Sequence, residues 1–215
     1  MANARARRPG RRPVEDDADL RGRLVDAALA AYAATGVRAT TNRAIARSAG
    51  VNPALVNYYF GDRLTDAVVE ERILPALGEL LAAMGHPPEA PLALATRFVD
   101  AVSAVIAQHP WLPPLWMREV LVEGGAFRHV VLDRVGAVPR AVASRLAESQ
   151  RAGQLDGDLD PRLVVVSLVG LTLFTAASAP IWRHLFAADD LDVSVLRRHA
   201  HALLAHGLAP PGALR

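Results

Sequence analysis

Between Thr40 and Arg63 the chain reads TTNRAIARSAGVNPALVNYYFGDR, where hydrogen-bonding side chains alternate with small and branched apolar ones. The spacing predicts a short helix over 42–49, a turn at Gly50, Val51 and Asn52, and a second short helix over 53–59, with Asn52 as cap and Pro53 in the first helical position. That is the arithmetic of a helix-turn-helix. The second helix is about 10 Å long at about 1.5 Å per residue. It therefore fits end-on into a DNA major groove about 12 Å wide. Ile45, Ala46, Ala49, Val51 and Val56 supply the apolar contacts that hold the pair together, and Phe60 belongs with them in the core. Thr41, Asn42 and Arg43 on the first helix, with Asn52, Pro53, Ala54, Asn57 and Tyr58 on the second, are left as exposed candidates.

Other chemistry is weakly supported. No G-x-S-x-G, G-x-G-x-x-G, P-loop or H-E-x-x-H pattern occurs. Asp156, Asp158 and Asp160 begin like a calcium loop, but Pro161 replaces the required glycine and Ser167 the required glutamate. Asp160 reads instead as a helix cap. His199, His201 and His206 lack i, i+4 spacing, so no metal site is expected. With no cysteine, disulfides, thiolate metal sites and a cysteine nucleophile are excluded. No cofactor is expected, and the reading is of a cytoplasmic protein that is not an enzyme.

The elements that must position the candidates are all helical. With 52% hydrophobic and 21% charged residues in 215, the chain has enough apolar material for a real core. Residues 1–19, with RARRPGRR followed by EDDAD, lack apolar periodicity and are expected to form a disordered Arg-rich tail. From Leu20 a helical stripe of Leu24, Ala27, Ala28 and Ala31 runs to a stop at Gly36. Longer helices are expected over 62–84, 89–108, 114–123, 130–152, 161–185 and 192–206, with kinks or breaks near Pro75, Pro114, Pro139 and Pro180. No stretch alternates as a strand does. All 24 basic residues are arginine; residues 1–62 hold ten of them against six acidic residues, whereas residues 63–215 hold fourteen against sixteen. A basic front end and a near-neutral body suit a polyanion partner for the front alone.

Leu163 to Trp182 is a 20-residue run without a charge. Its serines, threonines, glycine and proline favour a helix buried in a bundle and a dimer interface over a membrane span. Leu196, Ala200, Leu203 and Gly207 form a seam suited to a partner helix.

Residues 20–65 resemble the tetracycline-repressor (TetR) family of transcriptional regulators. The resemblance rests on Tyr32 and Gly36, on Thr40, Thr41, Arg43, Ile45 and Ala46, on Ala49, Gly50 and Val51, and on Tyr58, Tyr59, Phe60, Gly61, Asp62 and Arg63. Leu55, Val56 and Asn57 depart from the Thr-Leu-Tyr of many members, which alters the operator that is read. The resemblance implies an all-α protein with a DNA-binding head at 20–62 and a ligand-binding and dimerisation body at 63–215. Thr41 is then expected on a phosphate, Arg43 on guanine, and Asn57 on adenine or phosphate. Asn52, Tyr58, Tyr59 and Arg63 would set the position on the backbone, and Pro53 and Ala54 would touch a thymine methyl. Tyr59 could equally be a core tyrosine. Phe98, Trp116, Met117 and Phe174 are the expected effector-pocket residues. The implied protein is a homodimer through its last two helices, a repressor released from a palindromic operator by a small-molecule effector. An activator, an effector-independent regulator, a membrane-surface helical protein and a helical enzyme remain alternatives.

Overall fold

The computed structural model describes residues 14–85 and 90–208, and side chains from Asp17 onward. Every regular element among them is helical. Helix α1 (Val14–Thr35) buries Leu20, Leu24, Val25, Ala28, Leu29 and Tyr32 along one face. It starts at Val14, which corrects the expected tail boundary: Asp17 and Asp19 sit in its opening turns, where carboxylates complement the positive end of the helix dipole. The Arg-rich residues 1–13 lie outside the described residues, as do residues 86–89. Gly36 ends the helix with φ +88°, and its N–H donates to the Tyr32 carbonyl at 2.9 Å.

Two short helices follow, α2 (Asn42–Ser48) and α3 (Ala54–Phe60). Helix α4 covers residues 64–84 as Leu64–Val68, one wide turn Val69–Ile73, and Leu74–Met84. The wide turn directly precedes Pro75, which has no N–H to give the carbonyl four residues back. That carbonyl, of Glu71, accepts instead from Arg72 Nη1 at 3.0 Å. The remaining helices are α5 (Pro91–Gln108), α6 (Leu112–Glu119), α7 (Arg128–Val135), α8 (Ala137–Arg151), α9 (Pro161–Ala177, with a wide turn at Gly170–Phe174), α10 (Ala179–Phe186) and α11 (Val193–Gly207).

Two expected long helices are broken. The stretch 130–152 divides at Gly136, because Pro139 cannot donate to the Val135 carbonyl. The stretch 161–185 bends by 70° at Ser178, ahead of Pro180. Carbonyls near the bend are satisfied by side chains: Ser178 Oγ donates to Phe174 O at 2.8 Å, and Trp182 Nε1 donates to Thr175 O at 2.9 Å. So sharp a bend divides the uncharged run into two short pieces. Helix α5 is also long and apolar enough to cross a bilayer, but 56% of it is buried inside the protein, as befits the central helix of a bundle.

Two apolar clusters form the interior. The first joins α1–α4 to Leu115 of α6, to Phe127, and to Val131 and Val135 of α7. The second gathers α5, α8, α9 and α11 around Phe98, Val102, Leu146 and Leu168. Trp111 and Trp116 pack against both. Helices α5 and α11 are further tied by Asp100, whose Oδ1 lies 3.1 Å from His201 Nε2 and 3.7 Å from Arg197 Nε.

Helix α11 opens on a side-chain cap. Asp192 Oδ1 accepts from the N–H groups of Ser194 at 2.9 Å and Val195 at 3.0 Å, and from Ser194 Oγ at 2.6 Å. These donors, the Ser194 hydroxyl foremost, hold the carboxyl below its ordinary range. A depressed folded-state pKa contributes stability that is present above the unfolded value of about 3.9 and is lost as pH falls toward the folded one. Asp192→Asn preserves a capping residue but removes this titration. Its stability curve, followed by urea unfolding, is expected to be flatter than wild type below about pH 4. Parallel curves would refute the cap's role.

Candidate nucleic-acid interface

Local chemistry sets the two short helices. Thr41 has extended backbone (φ −107°, ψ 148°) and its Oγ1 accepts from Ala44 N–H at 3.2 Å, capping α2. At the other end Gly50 adopts φ +69°, a conformation available to glycine without a Cβ penalty. The Gly50 N–H reaches Arg47 O at 3.1 Å and the Val51 N–H reaches Ala46 O at 2.9 Å, which closes the helix with paired bonds. Asn52 then takes over as cap, its Oδ1 accepting from Ala54 N–H at 2.9 Å, while Pro53 already has helical angles (φ −52°, ψ −28°).

Ile45, Ala46, Val56 and Phe60 are buried between the two helices, α1 and α4. The opposite side is open. Thr41, Asn42, Arg43, Asn52, Pro53, Ala54, Asn57 and Tyr58 are all exposed, and Arg63 follows them just before α4. Arg43 has no ion-pair partner among the described residues. Tyr58 is 75% exposed, far more than a packed tyrosine would be. Asn42 Nδ2 donates to Asn57 Oδ1 at 3.1 Å, a bond that crosslinks the two helices and leaves the Asn57 amide as a donor. Tyr59 goes elsewhere: it is half-buried, its ring meets Tyr58 edge-on at 5.1 Å, and its hydroxyl donates to Asp17 of α1. Arg63 Nε lies 3.7 Å from Asp66 Oδ2, an exposed pair worth little in water.

A family description, that of bacterial regulatory proteins of the tetR family, matches residues 24–64. These residues form a tetR-family domain. A curated relative, the HTH-type transcriptional regulator BetI of Rhizobium meliloti (strain 1021), is 36% identical over 83 residues, which span 39% of this chain and 38% of that protein. Beyond the tetR-family head, likeness is one of fold. The ketosteroid transcriptional regulator KstR2 of Mycobacterium tuberculosis superposes with a TM-score of 0.69 at 21% identity, covering 88% of this chain and 94% of that one. The regulator FadR from Bacillus subtilis, in complex with stearoyl-CoA, superposes with a TM-score of 0.61 at 16% identity, covering 86% and 98%.

The tetR-family head is joined to the helices behind it by polar ties. Arg72 Nε of α4 donates to Asp26 Oδ1 of α1 at 2.6 Å, and Arg21 Nη1 lies 2.5 Å from Glu71 Oε1. Glu119, the last residue of α6, is not among the expected site residues. It is 7% exposed, and its two oxygens are both engaged: Oε1 accepts from Val37 N–H at 2.8 Å, and Oε2 from Ala126 N–H at 2.9 Å. Glycine allows the close approach on each side. A Cβ on Gly36 would lie 3.0 Å from Glu119 Oε1, and one on Gly125 would lie 2.4 Å from the Glu119 carbonyl oxygen. A single carboxylate thus links the loop entering α2 to the loop entering α7.

Beside this carboxylate runs a cleft of about 540 Å³, whose walls include Gly36, Arg38, Pro114, Met117, Glu119 and Gly124. Of the four expected effector-pocket residues, Met117 lines it. The other three are placed differently. Phe98 is buried on the inner face of α5, and Trp116 is wedged between the two apolar clusters. The Trp116 Nε1 is buried without an acceptor among the described residues. Phe174 is 59% exposed on the outer face of α9.

Proposed function

We propose that the protein is a ligand-responsive DNA-binding transcriptional regulator, a repressor that leaves a palindromic operator when a small-molecule effector binds its body. The observation that carries this reading is the exposed, side-chain-capped face of α2 and α3. A helix pair anchored by its buried inner face presents Thr41, Arg43, Asn52, Asn57 and Tyr58 together, the residue types that bind phosphates and read base edges. The division of labour follows: residues 20–62 read DNA, and residues 63–215 bind ligand and dimerise. The protein works in the cytoplasm, without a cofactor.

The proposed second copy packs over α9, α10 and α11, the last two of the expected long helices. Leu163, Val166, Phe174, Ile181, Leu185 and Phe186 are exposed there. So large an apolar face on one chain is an association surface. A two-fold dimer sets its recognition helices about 34–36 Å apart and requires an operator whose half-sites have centres about 10–10.5 base pairs apart. Effector binding would shift α4, which the Arg72–Asp26 and Arg21–Glu71 pairs tie to α1, and so change the spacing of the heads. For this the effector must bind the released state more tightly than the DNA-competent one. The Bacillus subtilis neighbour, which is in complex with stearoyl-CoA, supports a small-molecule ligand for a protein of this fold.

Binding-site selection from random duplex DNA tests the proposal. The expected result is one palindromic consensus with that half-site spacing. If no sequence is enriched at low salt, where electrostatic binding is strongest, the proposal fails.

A further inference from the structure

A second cleft, of about 410 Å³, lies where α5, α6, α9, α10 and α11 converge. Its volume is in the range of small-molecule sites. Its composition is unusual: Ile106, Pro113, Ala176, Pro180 and Leu196 typify an apolar wall in which Arg183 is the one charged residue. The 70° bend at Ser178 swings α10 aside, and the small alanines on both sides of the bend leave the space unfilled.

Arg183 is incompletely used by the fold. Its Nη2 donates to the Leu191 carbonyl at 2.7 Å, and its guanidinium stacks over the Trp182 ring at 5.3 Å. Its Nε is buried and has no acceptor, and no ion pair neutralises the side chain among the described residues. A half-buried cation beside an apolar wall is complementary to a ligand with an apolar body and one negative charge. With Nη2 already occupied and no second cation in the lining, the charge balance favours a monoanion over a dianion.

We propose that this cleft binds an amphipathic monocarboxylate, its chain against the proline and alanine wall and its carboxylate on Arg183. The inference rests on the ligand-responsive reading above and assigns the effector its chemical class. The position suits an effector, because Pro114 and Ala177 line both this cleft and the larger one that holds Glu119. A ligand pressing on the start of α6 therefore acts on the helix whose far end carries the carboxylate bonded to Val37 of the head.

Titration calorimetry of the full chain with monomeric decanoate and with decanol tests the assignment. Decanoate is expected to bind saturably and at least about tenfold more tightly than decanol, a preference set by one charge-assisted contact. Arg183→Met should abolish the preference, and Arg183→Lys should retain it. Ala107→Phe, which fills the cleft from an exposed helical position, should weaken both ligands. The proposal is overturned if decanoate shows no saturable binding, if Arg183→Met keeps the preference, or if Ala107→Phe leaves binding unchanged. Site selection on the same preparations separates the two readings: a palindrome without decanoate binding removes the ligand assignment alone. Decanoate binding without DNA selection removes the regulator and leaves the site.

Discussion

Arg43→Ala is expected to lower affinity for the selected operator by about 5- to 150-fold, the equivalent of about 1–3 kcal/mol for a bidentate base contact. Arg43 stands in the first turn of α2, two residues after the capping Thr41, exposed and without an internal ion pair among the described residues. Its removal therefore leaves no buried group unsatisfied, and the fold should be unaffected. The loss should be concentrated at one position in each half-site. A phosphate contact would behave differently, weakening all sequences alike and lowering the salt slope by about one. Repeating the selection with the variant, alongside salt titrations on the wild-type consensus, distinguishes the two. Unchanged affinity and unchanged consensus would remove Arg43 from the interface.

The second large effect is expected from Glu119→Gln. Each Glu119 oxygen accepts a backbone N–H, from Val37 and from Ala126, in a buried position. Glutamine keeps one acceptor and turns a donor toward the other N–H, so one bond is lost and two donors face each other. Hydrogen bonds to charged groups contribute about 1.5–3 kcal/mol, and an unsatisfied buried donor costs about 1–3 kcal/mol. A destabilisation of about 2–4 kcal/mol is therefore expected in urea unfolding. Amide exchange gives the local signature. The Val37 and Ala126 amides should lose protection in the variant beyond the change in the buried turns of α1 around Leu24. Equal stability with unchanged exchange at Val37 would show that the link between head and body is made elsewhere.

The two residues differ in how far they could be read ahead of the structure. Arg43 belongs to a segment whose signals are all local: Thr41 before a helical stripe, Gly50 after it, Asn52 and Pro53 opening the next helix. Each acts within four residues on the backbone beside it, so type and spacing suffice. Glu119 acts on Val37, 82 positions away, through one oxygen. Composition and periodicity carry no mark of such a pairing. The flanking Gly36 and Gly125 matter for a related reason, since both make room for a neighbour distant or looped back in sequence.

Helix breaks fall between these cases. Pro75, Pro139 and Pro180 announced disruption, because a missing N–H is a property of the residue itself. The form of each disruption depended on what packs around it: a wide turn before Pro75 with Arg72 bonding the stranded carbonyl, a division at Gly136, a 70° bend at Ser178 capped by Trp182. Among the candidate DNA contacts, exposure was legible from the apolar stripe they avoid. The Asn42–Asn57 bond and the turning of Tyr59 toward Asp17 arise only once α2, α3 and α1 are brought side by side.

By itself, then, the sequence determined the all-helical class, the helix-turn-helix and the side chains exposed on its outer face, because these follow from hydrogen bonds and apolar periods within a few residues. Tertiary structure alone decided which faces of the uniformly apolar helices are covered, where the clefts open, and that Glu119 couples the head to the body. Those outcomes depend on burial and electrostatic pairing between groups far apart along the chain, whose free energies exist only when the packed helices bring them within a few ångströms.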